Sequence, residues 1–356
     1  MHKKLFIPGP VDVREDVLQK MATPMIGHRT PECTELGKSI YEKMQKVMFT
    51  KNDIILSTSS GSGLMEMAVK SCTKKRAAVF SVGAFGDRWF KMCEANGIPS
   101  DKFKSELGEP TTPEMVEEAL STGKYDVVTV THNETSTAIM NPVADIAKVV
   151  AKYPDVVFCL DTVSSLGGAK VPVDEWGVDM CITSTQKCFG LPAGLAIASV
   201  SQKAYDRALT VENRGLYFDL ISVVDRVRKD YQYPSTPSLE HMFALDFQLT
   251  QILEVEGLEN RFQRHIDMAE VTRAWAKKHF EMLAEDQYAS NTLTTMKNTK
   301  GNSVADLNKE LAKRGYMISN GYGTLKEKTF RIAHMADMDM ETLKALLSEI
   351  EDIWGL

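Results

Sequence analysis

The chain has 356 residues, 43% hydrophobic and 25% charged, with a net charge of −6 at pH 7. This is an ordinary globular composition in a chain longer than one usual domain. Acidic and basic residues are interspersed, which speaks against nucleic acid or an anionic membrane as partner. The six cysteines, at 33, 72, 93, 159, 181 and 188, form no CxxC pair, which weighs against a structural zinc site or a redox motif. No metal is expected.

In chain order, the apolar stretch after His2-Lys3-Lys4 is too short for a signal peptide. No apolar run approaches the ~20 residues of a membrane helix, so a cytoplasmic protein is expected. Nearly continuous apolar or β-branched runs lie at 53–58, 77–82, 125–131, 156–161, 180–185 and 195–200. They read as strands buried on both faces. Helical patterns such as 142–153 lie between several of them, so the expected class is α/β, a mainly parallel sheet covered by helices. After about Ser201 the texture changes. Helical patterns at 239–256 and 258–283 are followed by a strand near 291–296, a helix near 305–314, a strand at 329–334 and a last helix from 340. That tail predicts a small C-terminal α+β domain.

Ser59-Ser-Gly-Ser-Gly63 follows the first of these strands and opens a helical pattern. Free backbone N–H groups at such a helix start make a phosphate cradle, although a flexible turn explains the same residues. Asp161 ends one strand run and is either an N-cap or a site residue, since ligands bind beyond strand carboxyl ends in open α/β sheets. Lys187 follows the next run and, seen alone, is a surface lysine. Together the three suit pyridoxal phosphate. The loop takes the phosphate, the carboxylate keeps the pyridine nitrogen protonated, and the lysine takes the aldehyde.

Over nearly its whole length the chain resembles the class V, fold-type I aminotransferases, especially the alanine/serine–glyoxylate branch. The resemblance is carried by 6–10 (FIPGP), 27–32 (GHRTPE), 60–63 (SGSG), 83–89 (GAFGDRW), 132–137 (HNETST), 161–167 (DTVSSLG) and 184–188 (STQKC). It implies that Lys187 is the Schiff-base lysine and Asp161 the partner of the pyridine nitrogen. Ser60, Gly61, Ser62 and Gln186 would hold the phosphate. Val163 and Phe85 would flank the ring, and Thr135 would lie near its 3′-oxygen. Arg331 would grip the substrate carboxylate, helped by Ser165 and the backbone near Gly9, with His28 near the site mouth. The family's dimers build composite sites, which implies that Ser235 or Thr236 reaches the partner's phosphate. The implied division is an N-terminal segment 1–20 packing at the active site, a large cofactor-binding domain 21–257 and a small domain 258–356.

The expected reaction moves an amino group from alanine or serine to glyoxylate or pyruvate. A phosphoserine:2-oxoglutarate transaminase is the alternative. It would need a second basic cluster, for which His28, Arg29, Arg88 and His334 are available. A cysteine desulfurase needs a late loop cysteine, yet the last cysteine is Cys188, which reads as a packed neighbour of the lysine. A non-catalytic relative would have lost the lysine or the aspartate, and both are present.

Overall fold

The structure, a computed structural model, describes residues 2–356. Its larger sheet has seven strands, ordered Asp53–Ser57, Ala196–Val200, Met180–Ser184, Val157–Asp161, Val127–Thr131, Ala77–Ser81 and Ser100–Lys104. Neighbours run parallel except Ala196–Val200, which is antiparallel to both strands beside it. The mainly parallel sheet expected from the sequence is therefore present. In five of the strands every residue is buried, which is why they read as apolar runs without alternation. Ser100–Lys104 was not anticipated. It is an edge strand with its residues partly or fully exposed, and its charges suit an edge that must not pair further.

Helix Gly61–Cys72 covers this sheet with Leu64, Met65, Met67, Ala68, Val69 and Cys72 buried. Each large apolar side chain so buried contributes roughly 1.5–3 kcal/mol, against about 1 kcal/mol for a helix cap. Packing alone holds the helix, and its N-terminus can be left open. The Ser60 side chain makes no capping hydrogen bond there. Helix Ala84–Ala95 packs beside it.

The second sheet is ordered Lys4–Phe6, Tyr316–Asn320, Thr329–Ala333, Leu293–Lys297 and Glu281–Met282. Its core gathers Phe6, Trp275, Phe280, Phe330, Leu343 and Leu346. Three of its strands, Lys4–Phe6, Tyr316–Asn320 and Glu281–Met282, were missed by the sequence reading, the last inside a stretch expected to be helix. All three carry exposed and partly exposed residues, so none shows a sustained apolar pattern. The helix expected over 258–283 ends at His279, where Phe280 turns extended and enters this core. No described helix is long and apolar enough to cross a membrane.

Candidate active site

The strands ending at Ser57, Ser81, Thr131, Asp161 and Ser184 release their loops at one edge of the large sheet, the edge where α/β sheets bind ligands. The first N–H groups of any helix lack intrahelical partners, and those of Gly61 and Ser62 open here, while the Gly63 N–H turns back to the Ser60 carbonyl at 2.9 Å. A Cβ on Gly61 would lie 2.6 Å from Val163 Cγ2. Glycine thus lets the helix start rest directly on Val163, two residues beyond Asp161.

Asp161 is 4% exposed and accepts a hydrogen bond from the Val163 N–H at 2.8 Å. Burial pushes its carboxyl up to about 7. Glu134 adds to the rise, while the Val163 N–H, Lys187 and Arg88 oppose it. Lys187 is 9% exposed, and its Nζ donates to the Pro8 carbonyl. Burial pulls its amine down to about 8. Arg331 and Arg88 act in the same direction, and Cys188 and Asp161 act against it. Gly9, at φ 92°, covers the lysine stem so closely that a Cβ would stand 2.5 Å from Lys187 Cδ and 2.9 Å from the Gln186 carbonyl. Only glycine fits both the backbone and the space. The N-terminal segment therefore leaves the small sheet and crosses to the lysine. Gln186 Oε1 accepts from the Ser184 hydroxyl at 2.5 Å.

Phe85 opens helix Ala84–Ala95, and its placement rests on Glu134. The Phe85 and Gly86 N–H groups each donate to Glu134 Oε2 at 3.0 Å, and Ser136 donates to Oε1 through its N–H at 3.0 Å and its hydroxyl at 2.6 Å. Burial raises the Glu134 carboxyl, and these four donors oppose the rise. Thr135 donates from Oγ1 to Ser164 Oγ at 2.9 Å, and its carbonyl accepts from Arg331 Nη1 at 3.0 Å. Arg331, on Thr329–Ala333 of the small sheet, also donates to the Asn320 carbonyl at 3.2 and 3.1 Å. All its hydrogen bonds thus go to neutral carbonyls. Burial lowers its guanidinium to about 10, with Tyr322 and Glu134 opposing.

The structure thus gathers Lys187, Asp161, Val163, Gly61, Gln186, Gly9, Phe85, Thr135 and Arg331 around one sheet edge, with Ser60 and Ser62 on the helix start beside them. Ser165 lies beneath it, fully buried, with its hydroxyl 3.0 Å from His132 Nδ1. His28 lies in the loop before helix Pro31–Val47, where its neighbour Arg29 donates to the Tyr233 and Pro234 carbonyls. Ser235 and Thr236 follow, exposed at the surface. Cys188 is fully buried, which pushes its thiol up to about 11, as suits a packed neighbour. His334 is enclosed, its Nε2 3.0 Å from Thr294 Oγ1.

Sequence reasoning missed two supports of the site. Glu134 stands inside the HNETST motif, but nothing in sequence spacing links it to the Phe85 helix. Arg261 is 1% exposed and donates to the carbonyls of Gly167 at 3.0 Å and Cys188 at 2.6 Å. It also pairs with Glu256 and Asp337, so it ties the lysine loop to helix Leu258–His279.

A family model described as aminotransferase class-V matches residues 14–346. An uncharacterized aminotransferase of Methanocaldococcus jannaschii is 38% identical over 98% of this chain and 92% of its own length. The serine–glyoxylate aminotransferase of Methylorubrum extorquens is 31% identical over 98% of this chain and 90% of its own. Among solved structures, the alanine–glyoxylate aminotransferase of Nostoc sp. superposes with a TM-score of 0.93 over 99% of this chain and 96% of that one, at 24% identity. At that identity the likeness establishes a shared fold.

Proposed function

The chain belongs to the class-V aminotransferases, and from that premise we propose that it moves the amino group of a small amino acid, alanine or serine, to a 2-oxo acid such as glyoxylate or pyruvate, using pyridoxal phosphate. The observation that carries this reading is the meeting at one sheet edge of a buried lysine, a buried aspartate at a strand end and an arginine that has no counter-ion among the described residues. The relative named for serine and glyoxylate supports the substrate class.

Bound pyridoxal phosphate would supply an aldehyde to take the amino group and a ring to accept the electron pair left at the donor's α-carbon. The residues fit that group. The helix start at Ser60 is uncapped, and Phe85 and Val163 stand near the strand end that carries Asp161. With its amine lowered to about 8, Lys187 has a sizeable neutral fraction near neutral pH, so it can bond to the aldehyde and later carry a proton at the α-carbon. A positively charged ring nitrogen against Asp161 would hold that carboxyl ionised, reversing the effect of burial. Gly9 and Pro8 exclude water from the lysine stem.

Arg331 is read as the carboxylate grip, because a guanidinium binds a carboxylate through two parallel hydrogen bonds and lysine does not. Replacing it by lysine should lower kcat/KM roughly 10–100-fold for donor and acceptor alike, as expected when a charge-assisted hydrogen bond of about 1.5–3 kcal/mol is lost. Single-turnover kinetics on a donor and on the matching amine without the carboxylate check this. Equal slowing of both would make the role of Arg331 structural.

The working unit is read as a homodimer in which Ser235 or Thr236 of each chain serves the partner's phosphate; their exposure supports this. Six free, buried cysteines suit the reducing cytoplasm. The phosphoserine alternative is not favoured, since His334 is enclosed and Arg29 is engaged with backbone carbonyls. A panel of half-reactions with alanine, serine, aspartate and phosphoserine tests the function, read as loss of the visible band of lysine-bound cofactor. Alanine or serine should react fastest; reaction with phosphoserine alone would replace this reading by the alternative.

A further inference from the structure

Every group assigned to the phosphate is neutral: Ser60, Gly61, Ser62 and Gln186 in one chain, Ser235 or Thr236 from the partner. A phosphate monoester carries nearly two negative charges at neutral pH, and a helix N-terminus offers only about half a positive one. The subsite as read lacks a cation.

Arg88 stands beside it. Its Nη1 donates to Ser62 Oγ at 2.9 Å, and its guanidinium carbon lies 4.7 Å from the centre of the Phe85 ring. Phe85 and Arg88 are three residues apart on one helix and share a face. Arg88 is half-buried, and its charge is felt at both Asp161 and Lys187, which places it within the site. It forms no ion pair among the described residues, and the adjacent Asp87 is held by Lys102 at 3.1 Å. A guanidinium stacked on an aromatic ring, with one hydroxyl acceptor and no counter-ion, is set to receive an anion.

We propose that Arg88 is the cationic partner of the cofactor's phosphate, donating to a phosphate oxygen beside the Ser62 hydroxyl while Phe85 fixes the plane of its guanidinium. The proposal rests on the reading that the Lys187 site holds pyridoxal phosphate. It gives the cofactor an anchor that persists while Lys187 is free to move protons.

The test compares two ligands that differ only in the phosphate. Apoprotein is titrated with pyridoxal phosphate and, separately, with pyridoxal, following the visible absorbance and the quenching of tryptophan fluorescence. Arg88→Gln should weaken pyridoxal phosphate at least tenfold and change pyridoxal less than twofold, with Arg88→Lys falling between wild type and Arg88→Gln. Inorganic phosphate should compete with pyridoxal phosphate more strongly in wild type than in Arg88→Gln. Unchanged pyridoxal binding shows that the variant's site is folded. Equal weakening of both ligands would overturn the proposal, making Arg88 a support for Phe85. Equal binding of pyridoxal phosphate by wild type and Arg88→Gln would overturn it too, leaving the cofactor reading intact. A wild-type chain that captured neither ligand would overturn both.

Discussion

Replacing Lys187 by alanine is expected to lower transamination by roughly 10^4-fold or more, since the group proposed to bond the aldehyde and to carry the proton at the α-carbon is then gone. The fold should survive. In the cofactor-free chain the amine falls from 10.5 to about 8, so the unfolded chain binds the proton more tightly than the folded one. Wild-type stability therefore rises with pH between about 8 and 10.5 through this group, and its penalty is full below that window and absent above it. Lys187→Ala removes the penalty. Its urea midpoint, compared with wild type, should be most favourable at neutral pH and lose that advantage by pH 10.5. An activity loss with no such pH trend would mean that the lysine is not buried as described.

Asp161→Asn should lower the half-reaction rate by roughly 10^2–10^3-fold, the usual consequence of removing one preorganised charge from a reacting centre. The amide has nearly the same shape and its oxygen can still accept from the Val163 N–H, so packing is kept. What is lost is the anion proposed to keep the ring nitrogen protonated and able to accept electrons. Cofactor should still bind through Lys187 and the helix start. Near-normal half-reaction rates with excess donor would show that Asp161 does not face the ring nitrogen.

The central sheet was legible because its strands are buried on both faces. Runs such as 180–185 carry no charged residue and only small hydroxyl residues among the apolar ones, and the structure places the fully buried strand Met180–Ser184 there. Ser100–Lys104 and Tyr316–Asn320 are as long as the central strands but escaped because they are partly exposed, and Lys4–Phe6 is both partly exposed and only three residues long; half-buried strands without an apolar run do not stand out from loops. In the site, Asp161 was singled out as a carboxylate closing a strand run, and Lys187 only in combination with it and the Ser59–Gly63 loop; the structure buries both. Glu134 and Arg261 were not, because their partners, the Phe85 helix start and the Cys188 carbonyl, lie far away in sequence. Arg88 was noticed only as a cation for a second phosphate; its contacts with Ser62 and Phe85 needed the folded chain. Only the fold reveals which buried charges support a site.

The most direct test asks which lysine holds the cofactor. Protein reconstituted with pyridoxal phosphate should be yellow, and borohydride should bleach the band and fix the label to the chain. Peptide mapping should then find the label on Lys187, which is buried beside Gly9 and Asp161. A label on the exposed Lys170, which pairs with Glu259 at 3.4 Å, or no bound chromophore after reconstitution, would contradict it.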